Sequence, residues 1–350
     1  MNHSVNMTAI ARLCKVSAMT VSRAFRRNSY VAPALRERIL KAAAKMNYHP
    51  DGWTGRPRGQ LKKSGMTVRV IVGEQIGGAN FYHAFLLGSI ERVLAQHRCA
   101  CYLRTFDGNY KNFIWLCDAL RSENNVPTMI IGYFSVERIR ALMAASLGSL
   151  LVDYTEDPGL TRHYDCVGFD NIEAGRIATR HLLEIGRKRI LLVKGHPRHF
   201  FSTEIETGYQ EVLKNNGLKL DNELIVSADF TAVGAYQRIM KIIKRGLDFD
   251  AVFTNDEMAL GVMSALAEKG RKIPEDVAVV GCDGLPYGSF LRPSLTSVVM
   301  DYVKLGRTAV EYLLSRNTSK SAVKHIRLLP KLIARESTLG FEPKRSRKLK

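Results

Sequence analysis

Residues 14–25 place polar and basic side chains at spacings that suit contacts with DNA. Ser17 is an N-cap residue type, so the helix after it would present free backbone N–H groups and its positive dipole end to a phosphate. Arg23 can donate two hydrogen bonds to O6 and N7 of guanine, and the hydroxyls of Thr20 and Ser22 suit phosphate oxygens. These residues predict noncovalent recognition of a DNA duplex.

Two short helices must hold these side chains, one on each side of a turn at residues 14–17. Apolar residues recur at helical spacing in both segments, which predicts a shared buried face. The expected contacts come from Ile10, Leu13, Val16, Val21 and Phe25. A third helix begins at Pro33, a favoured first helical position. Its covering residues are Leu35, Ile39, Ala42, Ala43 and Met46. This layout predicts a helix-turn-helix whose second helix enters the major groove.

The positive charge of the chain is concentrated around this segment. Residues 1–65 hold 13 Lys or Arg and two acidic residues, which accounts for +11 of the net charge of +19. A three-helix subdomain without a DNA function is the alternative interpretation of the pattern. The concentrated charge favours DNA, because lysine and arginine release counterions from the phosphate backbone on binding.

The composition argues against a membrane protein, a secreted protein and a zinc-binding protein. The sequence has no apolar run of about 20 residues and no signal-peptide pattern, so we expect a cytoplasmic protein. The six cysteines show no zinc spacing, and we expect reduced thiols, no metal and no cofactor. Cys99 and Cys101 would point the same way on a strand, and we interpret them as small buried hydrophobes rather than a metal or redox pair. The basic segment 344–350 is interpreted as a solvated tail, with auxiliary DNA contact as the alternative.

After a Gly- and Pro-rich linker at 50–65, strand-like runs alternate with amphipathic helices. The predicted buried strands are 67–72, 128–132, 150–153, 189–193, 251–254 and 277–281. The predicted helices are 82–96, 135–145, 171–185, 203–216, 234–245 and 256–269. This alternation predicts an α/β fold of two parallel sheets with a ligand cleft beyond the carboxyl ends of the strands.

The order of head, linker and two α/β lobes resembles the LacI/GalR (lac repressor) family of bacterial transcription regulators. The most specific phrases are Val16-Ser17-Ala18-Met19-Thr20-Val21-Ser22-Arg23, Met46-Asn47-Tyr48-His49-Pro50, residues 254–261, 274–283, 293–298 and 335–338. The phrases Met-Thr-Val-Ser-Arg and Gly-Phe-Asp-Asn also resemble regulators of the gluconate-utilisation type.

The resemblance implies an N-terminal helix-turn-helix head and a two-lobed, periplasmic-binding-protein-like core of parallel α/β sheets. The implied domains are a DNA-binding head at 1–49, a hinge at 50–65, a core at 66–340 and a tail at 341–350. Within the core, lobe one would cover about 66–169 and 301–328, and lobe two about 170–300 and 329–340.

The resemblance also implies which residues contact DNA. Ala18, Met19 and Arg23 would touch base edges. The first two would meet thymine methyls or sense groove shape, because their side chains cannot form hydrogen bonds. The implied contacts to the phosphates, which set the register of the head, are Asn6, Ser17, Thr20, Ser22, Arg26, Arg27, Asn28 and Tyr48. In the hinge, Pro57 stands near the place of the family's minor-groove leucine. Arg56-Pro57-Arg58 therefore predicts either an extended minor-groove hook or a flexible tether.

The implied effector site lies between the lobes. Its residues are Tyr82, His83, Asp153, Phe169, Ile205, Phe230, Asn255 and Asp283. Asn255 is expected to reach the cleft while Asp256 caps the next helix. A lone histidine such as His83 is more often structural. Ile205 stands where relatives carry an effector-clamping arginine. Either another residue of the same loop compensates, the candidates being Arg198, His199, Thr203 and Glu204, or the usual sugar class does not apply and a sugar acid is the alternative.

The resemblance predicts a homodimeric repressor that binds a palindromic operator and responds to a sugar or sugar acid. The alternative is a regulator of the same fold that is gated by a protein partner or is ungated. A binding protein or an enzyme that uses the lobes alone is disfavoured by the basic head and by the lack of a nucleophile motif, so we expect no enzymatic activity.

Overall fold

The computed structural model describes residues 7–25, 31–45, 66–73, 81–146, 148–154, 164–197, 199–316 and 323–339. Its contacts divide the chain into two compact units, residues 1–62 and residues 63–350. None of the helices in these ranges combines the length and the apolar character that a membrane span needs.

The first unit contains three helices around a small apolar core. They are α1 (Met7–Leu13), α2 (Ala18–Ala24) and α3 (Pro33–Lys45). Each helix contributes a fully buried side chain, namely Ile10, Val21 and Ile39. The prediction for Leu13 was wrong, since its side chain is 60% exposed. The adjacent Cys14 takes the buried position, because the chain turns there toward α3.

The second unit contains two six-stranded sheets. In sheet one all strand pairs are parallel and the order is β11-β5-β4-β3-β1-β2. Its strands are β1 (Thr67–Val72), β2 (Ala100–Thr105), β3 (Thr128–Ile131), β4 (Leu150–Val152), β5 (Cys166–Phe169) and β11 (His325–Leu328). Its helices are α4 (Phe81–Gln96), α5 (Tyr110–Ser122), α6 (Val136–Ala145) and α11 (Tyr302–Ser315). Successive residues of β1 are buried on opposite faces, Val70 with α4 and α11, and Ile71 with α5 and α6. We call this sheet and its helices lobe one.

Lobe two has the same construction around sheet two. The order is β12-β10-β9-β8-β6-β7, and β12 is antiparallel to its neighbour. The strands are β6 (Ile190–Lys194), β7 (Ile225–Ser227), β8 (Ala251–Phe253), β9 (Ala278–Asp283), β10 (Thr296–Val299) and β12 (Lys331–Ile333). The helices are α7 (Asn171–Glu184), α8 (Phe200–Asn215), α9 (Ala232–Lys244), α10 (Asp256–Glu268) and the short α12 (Glu336–Leu339). Two 3-10 turns lie at Asn222–Leu224 and Pro286–Ser289. Leu192 is buried against α7 and α8, and Leu191 against α9 and α10.

The chain passes between the lobes three times. It leaves sheet one after β5, returns before α11, and crosses again between β11 and β12. The turns at the carboxyl ends of β4, β5 and β9 therefore meet near these crossings, which is the place where open parallel sheets bind ligands.

The six predicted buried strands and the six predicted helices are present with small shifts at their ends. The helices α5, α11 and α12 and the strands β2, β5, β7, β10, β11 and β12 were not predicted from the sequence. These strands are short, or they lie at or next to a sheet edge, so the apolar run that marks a central strand is weak or absent. In β2 most residues are exposed on both faces.

The prediction for the Cys99 and Cys101 side chains was wrong. Cys101 is exposed on the edge strand β2, and Cys99 is half-buried just before it. An edge strand without a covering helix buries neither of its faces, so the alternation of side chains does not carry Cys101 into the core. All six cysteines are free thiols, as expected.

Helices α7 and α8 touch through their backbones at two glycines. A Cβ at Gly208 would overlap the carbonyl oxygen of Ile172, and a Cβ at Gly175 would overlap that of Ile205. Any side chain at these positions must push the helices apart. By contrast, a Cβ at Gly88, on the exposed side of α4, would meet open space.

We therefore expect Gly208→Ala to lower the free energy of unfolding by about 1–3 kcal/mol, because the two helices must separate. The matched substitution Gly88→Ala should raise it by about 0.5–1 kcal/mol, because alanine loses less backbone entropy in a helix. Urea unfolding of the full-length variants measures both values. Equal effects of the two substitutions would contradict the close approach of α7 and α8.

Candidate DNA-binding and effector sites

The second helix of the head is capped as the sequence predicts. Ser17 has extended backbone angles, and its Oγ accepts a hydrogen bond from the backbone N–H of Thr20 at 3.0 Å. The Thr20 hydroxyl is 2.9 Å from the same oxygen. Because Thr20 is half-buried and hydrogen-bonded within the cap, it helps to hold the first turn of α2. That turn leaves N–H groups for a phosphate.

The turn before α2 is locked against α3. Lys15 has a positive φ of 48°, which reverses the chain after α1. The Arg38 guanidinium donates to the carbonyl oxygen of Cys14 at 3.2 Å, and the Cys14 thiol lies 3.9 Å from the Arg38 carbonyl oxygen. These contacts set the angle between α1 and α2, on which docking in a groove depends.

The predicted base-contacting side chains are exposed on α2. Ala18 and Arg23 are exposed, Ser22 is half-buried, and the Met19 side chain is 62% exposed. An apolar side chain with this exposure adds nothing to the core of the head. The remaining predicted DNA contacts lie outside the described residues, namely Asn6, Arg26, Arg27, Asn28, Tyr48, Arg56, Pro57 and Arg58.

A cleft between the two lobes encloses about 780 Å³, including its open mouth. Seven of the eight predicted effector residues line it: Tyr82, His83, Asp153, Phe169, Phe230, Asn255 and Asp283. Its other lining residues are Phe81, Gly132, Tyr133, Asn171, His199, Phe200, Phe201, Glu257, Leu285, Met300 and Tyr302. Of these, sequence reasoning named only His199, as one candidate to replace the clamping arginine, and missed the rest. Tyr302 and Asn171 each follow a crossing between the lobes, and this position is a signal that could have found them.

Ile205 does not line the cleft, which corrects its assignment to the effector site. Its side chain is buried among Leu192, Phe253 and Cys282 beneath α8. The close packing of α7 on α8 turns this face of α8 toward the sheet. An isoleucine therefore extends the apolar core, where an unpaired arginine would have to be desolvated.

Asp153 follows β4 in the left-handed backbone region, with a φ of 51°. The Tyr82 hydroxyl donates a hydrogen bond to its carboxylate. Burial raises the pKa of Asp153 to about 6, the Tyr82 hydrogen bond opposes this rise, and the Glu204 carboxylate adds to it. The Arg327 guanidinium lowers the pKa of Asp153, and its effect is the smallest of those named for this carboxylate.

Asp283 ends β9 with a φ of 124° and accepts a hydrogen bond from the Tyr302 hydroxyl at 3.0 Å. Burial, and next the Asp256 carboxylate, raise the pKa of Asp283 well above its ordinary value. Two carboxylates thus face the same cleft, and each accepts a hydrogen bond from one tyrosine. Neither has an ion pair with a lysine or arginine in the part of the chain that the structure describes.

The predicted roles of Asn255 and Asp256 were only half right. Asn255 lines the cleft and is itself the N-cap of α10, since its Oδ1 accepts from the backbone N–H of Met258 at 2.9 Å. Asp256 does not cap. Its carboxylate accepts hydrogen bonds from the backbone N–H of Leu285 and the hydroxyl of Ser297, both at 2.6 Å. Asp256 therefore holds the turn that positions Asp283.

Aromatic rings form two opposite walls of the cleft. In lobe one, Tyr302 meets Tyr82 and Phe169 edge to face, with ring centroids 5.4 and 5.5 Å apart. In lobe two, the His199 ring lies 5.1 Å from that of Phe230. Phe230 has a positive φ of 66°, and its ring covers Gly195, where a Cβ would overlap it. This wall therefore requires glycine at position 195.

The two cleft histidines are uncharged at neutral pH. Burial lowers the pKa of His83 to about 4. Burial also lowers the pKa of His199 to about 4, with further contributions from His83 and His196. Among the lining residues that the structure describes, the groups left to carry a charge near neutral pH are then carboxylates, since this set contains no lysine or arginine.

We expect Asp153→Asn to raise the free energy of unfolding more at pH 8 than at pH 5. The pKa of Asp153 is higher in the folded than in the unfolded chain, so stability falls as pH rises from the unfolded value of 3.8 to the folded value of about 6. The amide of asparagine does not titrate, so the variant does not lose this stability. The difference in the free energy of unfolding between Asp153→Asn and the parent protein should therefore grow by about 1 kcal/mol from pH 5 to pH 8. Urea unfolding at the two pH values measures the gap. The exposed Asp248→Asn variant is the control, and a gap for Asp153→Asn that does not change with pH would contradict the burial.

Comparison with known proteins supports this division into head and core. Residues 6–51 match the bacterial regulatory proteins of the lacI family, and residues 179–338 match the periplasmic binding protein-like domain. The chain is 27% identical over 335 residues to the HTH-type transcriptional repressor PurR of Vibrio atlanticus (strain LGP32), covering 94% of this chain and 97% of that protein. It is also 27% identical to the HTH-type transcriptional regulator MalR of Clostridium butyricum, covering 96% of this chain and all of that protein.

Solved structures share the architecture. A complex of the transcriptional regulator CelR with cellobiose has a TM-score of 0.70 and 26% identity, and the match covers 95% of this chain and all of that one. A lac repressor dimer bound to operator and an anti-inducer has a TM-score of 0.70 at 23% identity, covering 96% of this chain and 99% of that one, and it supports the fold. With its capped reading helix, its two parallel sheets and the cleft between them, the chain combines a lacI-family DNA-binding head with a periplasmic-binding-protein-like core, and its relatives are transcriptional regulators of the LacI type.

Proposed function

We propose that this repressor binds a palindromic operator as a homodimer and that a small molecule in the cleft sets its affinity for DNA. The single observation that carries the DNA half is α2, whose capped N terminus and exposed Ala18, Met19 and Arg23 belong to a strongly basic head. Arg23 would bind guanine, and Ser17 and Ser22 would contact phosphates. Such a protein would act in the cytoplasm, and its named relatives are regulators rather than enzymes.

An exposed apolar patch on lobe one supports dimer formation. It comprises Tyr102 and Leu103 on β2 with Ile114 and Trp115 on α5, all between 42 and 53% exposed. β2 is an edge strand of sheet one. An uncovered edge with apolar side chains favours association, and a second copy of the chain would cover it.

Contacts across the cleft support coupling between the effector and the lobes. The Tyr133 and His199 rings stack at 5.7 Å, and the Phe81 and Tyr287 rings meet at 5.6 Å. Each pair joins one lobe to the other beside the cleft. A ligand that inserts between these rings would change how the lobes close, and this would bias the spacing of two DNA-binding heads.

The cleft also guides the choice of effector. Sugars and sugar acids were the predicted classes, and a neutral sugar suits the carboxylate, amide and aromatic groups of the lining. A sugar acid would place its carboxylate against Asp153, Glu257 and Asp283, and the described lining residues include no arginine to face it. We therefore favour an effector that is not an anion. The second candidate, a regulator gated by a protein or ungated, rested on Ile205, and the burial of that residue removes its main support.

Selection of bound sequences from random duplex DNA with the full-length protein tests the DNA half of the proposal. We expect a palindromic consensus whose affinity falls steeply with salt. Binding without any sequence preference would refute it.

We expect Arg23→Ala to lower the affinity for the selected operator by about 1–3 kcal/mol and to relax the preference at one base pair of each half-site. Lys41→Ala is the control, because it removes the same charge from α3, where Lys41 pairs with Glu37 at 2.8 Å. This control should leave the base preference unchanged. Fluorescence anisotropy with operators altered one base pair at a time measures both effects, and an Arg23→Ala protein with unaltered preferences would contradict base readout.

We expect Leu103→Arg to convert the dimer to a monomer, because two copies would bring like charges together in an apolar contact. Val233→Arg is the control, since Val233 is another exposed apolar residue and lies on lobe two. Sedimentation equilibrium measures the mass. A dimer that survives Leu103→Arg would place the subunit contact elsewhere.

A further inference from the structure

We infer that the effector is a small cation with an apolar or sugar body, namely an amine that is protonated at neutral pH. This inference rests on the proposed role of the cleft as the effector site and names the chemical class that the site would take. It depends on the charges around the cleft and on the rings beside them.

Among the residues that the structure describes, the lining of the cleft has acidic groups and no lysine or arginine. Asp153 and Asp283 stand on turns at the ends of β4 and β9, and Glu257 lies at the start of α10. Each accepts a hydrogen bond from a tyrosine hydroxyl, which for Glu257 comes from Tyr287 at 3.2 Å. A phenol hydroxyl stabilises a carboxylate but does not neutralise it.

Basic side chains outside the lining have other partners in the part of the chain that the structure describes. Arg327 donates to the carbonyl oxygen of Tyr154 at 2.9 Å and lines a neighbouring hollow with Glu204, and it contributes least among the causes that shift the pKa of Asp153. Lys194 is paired with Glu206, and Arg335 donates to the carbonyl oxygen of Leu295. Since these described groups do not pair with Asp153 or Asp283, we assign the compensating positive charge to the ligand.

Burial makes it costly to ionise the two carboxylates while no positive charge lies beside them. It raises the pKa of Asp153 to about 6 and that of Asp283 well above its ordinary value, so the ionised forms are disfavoured while no cation is present. An ammonium group between them would favour the ionised carboxylates and form charge-assisted hydrogen bonds. His83 and His199, whose pKa values of about 4 keep them neutral, do not oppose such a ligand.

The rings beside the carboxylates suit the same ligand. Tyr82, Phe169 and Tyr302 meet at near-right angles, with interplanar angles of 77° and 89°, so that faces and edges of several rings border the site. Aromatic faces attract organic cations. The opposite wall of Phe200, His199 and Phe230 offers apolar surface for the body of the ligand.

Two matched sets of probes test the inference by isothermal titration of the full-length protein. The first set is glucosamine, glucose and glucuronate, and the second is tyramine, tyrosol and 4-hydroxyphenylacetate. Within each set the body is nearly constant while the charge passes from positive to neutral to negative. We expect the amine of at least one set to bind about tenfold or more tightly than its neutral partner, and no heat from either anion.

Variants assign the preference to the two carboxylates. Asp153→Asn, whose amide tolerates the left-handed backbone, should weaken binding of the amine about tenfold and change binding of the neutral probe less than about twofold. Asp283→Asn should act in the same direction. The control Asp248→Asn removes an exposed carboxylate on the surface, paired with Arg189 at 3.3 Å, and should change neither affinity.

The outcomes separate this inference from the proposed function when operator binding is measured with the same probes. Suppose that a neutral or anionic probe binds more tightly than the amine of the same set and changes the affinity for the operator. This result overturns the inference of a cationic effector and leaves the proposed function standing. An amine that binds through Asp153 without changing the affinity for the operator supports the preference of the cleft for a cationic ligand and refutes the effector role of the cleft. Failure of both amines to bind at millimolar concentration overturns the inference.

Discussion

Both sheets of the core are largely parallel and are covered by helices on both faces, and this constraint decides where polar side chains can lie. Along β1, Val70 and Ile71 are buried on opposite sides, so a strand interior has no position for a carboxylate. The ends of the strands are free of this restriction. Asp153, Asn255 and Asp283 all stand just beyond or at the ends of strands, and the crossings between the lobes bring these ends to one cleft.

The cleft is held in a conformation that costs free energy. Asp153, Phe230 and Asp283 have positive φ values, which side chains with a Cβ adopt rarely. Two of the three are also carboxylates whose charge is disfavoured by burial. The surrounding contacts compensate for these costs, with Asp256 tying the turn after β9 and Gly195 leaving room for the Phe230 ring. A site of this kind is prepared for a ligand at the expense of stability.

The errors of the sequence analysis share one origin. Leu13 was predicted to be buried and Ile205 to line the effector site. In both cases the packing of a neighbouring helix decides whether the side chain is covered. Asn255 and Asp256 are both good N-cap types, and only the position of Leu285 and Ser297 explains why Asp256 is used elsewhere. Cys101 lies in a strand that no helix covers, which alternation along a chain does not reveal. In each case the deciding contact is distant in sequence.

Local sequence patterns were enough to predict the three head helices, six of the strands and six of the core helices, because helix caps, apolar periods and strand runs are properties of neighbouring residues. Ser17, the period from Ile10 to Val21, and the alternation of strands with helices were sufficient for the head, the two-lobed fold and seven of the cleft residues, with the family resemblance supplying their roles. The tertiary structure alone decided the chemistry of the cleft. It brought Tyr302 and Asn171 to the lining, removed Ile205 from it, and left Asp153 and Asp283 buried without an ion-paired lysine or arginine among the described residues. Burial and charge balance depend on which side chains meet across the lobes, and no local pattern records that.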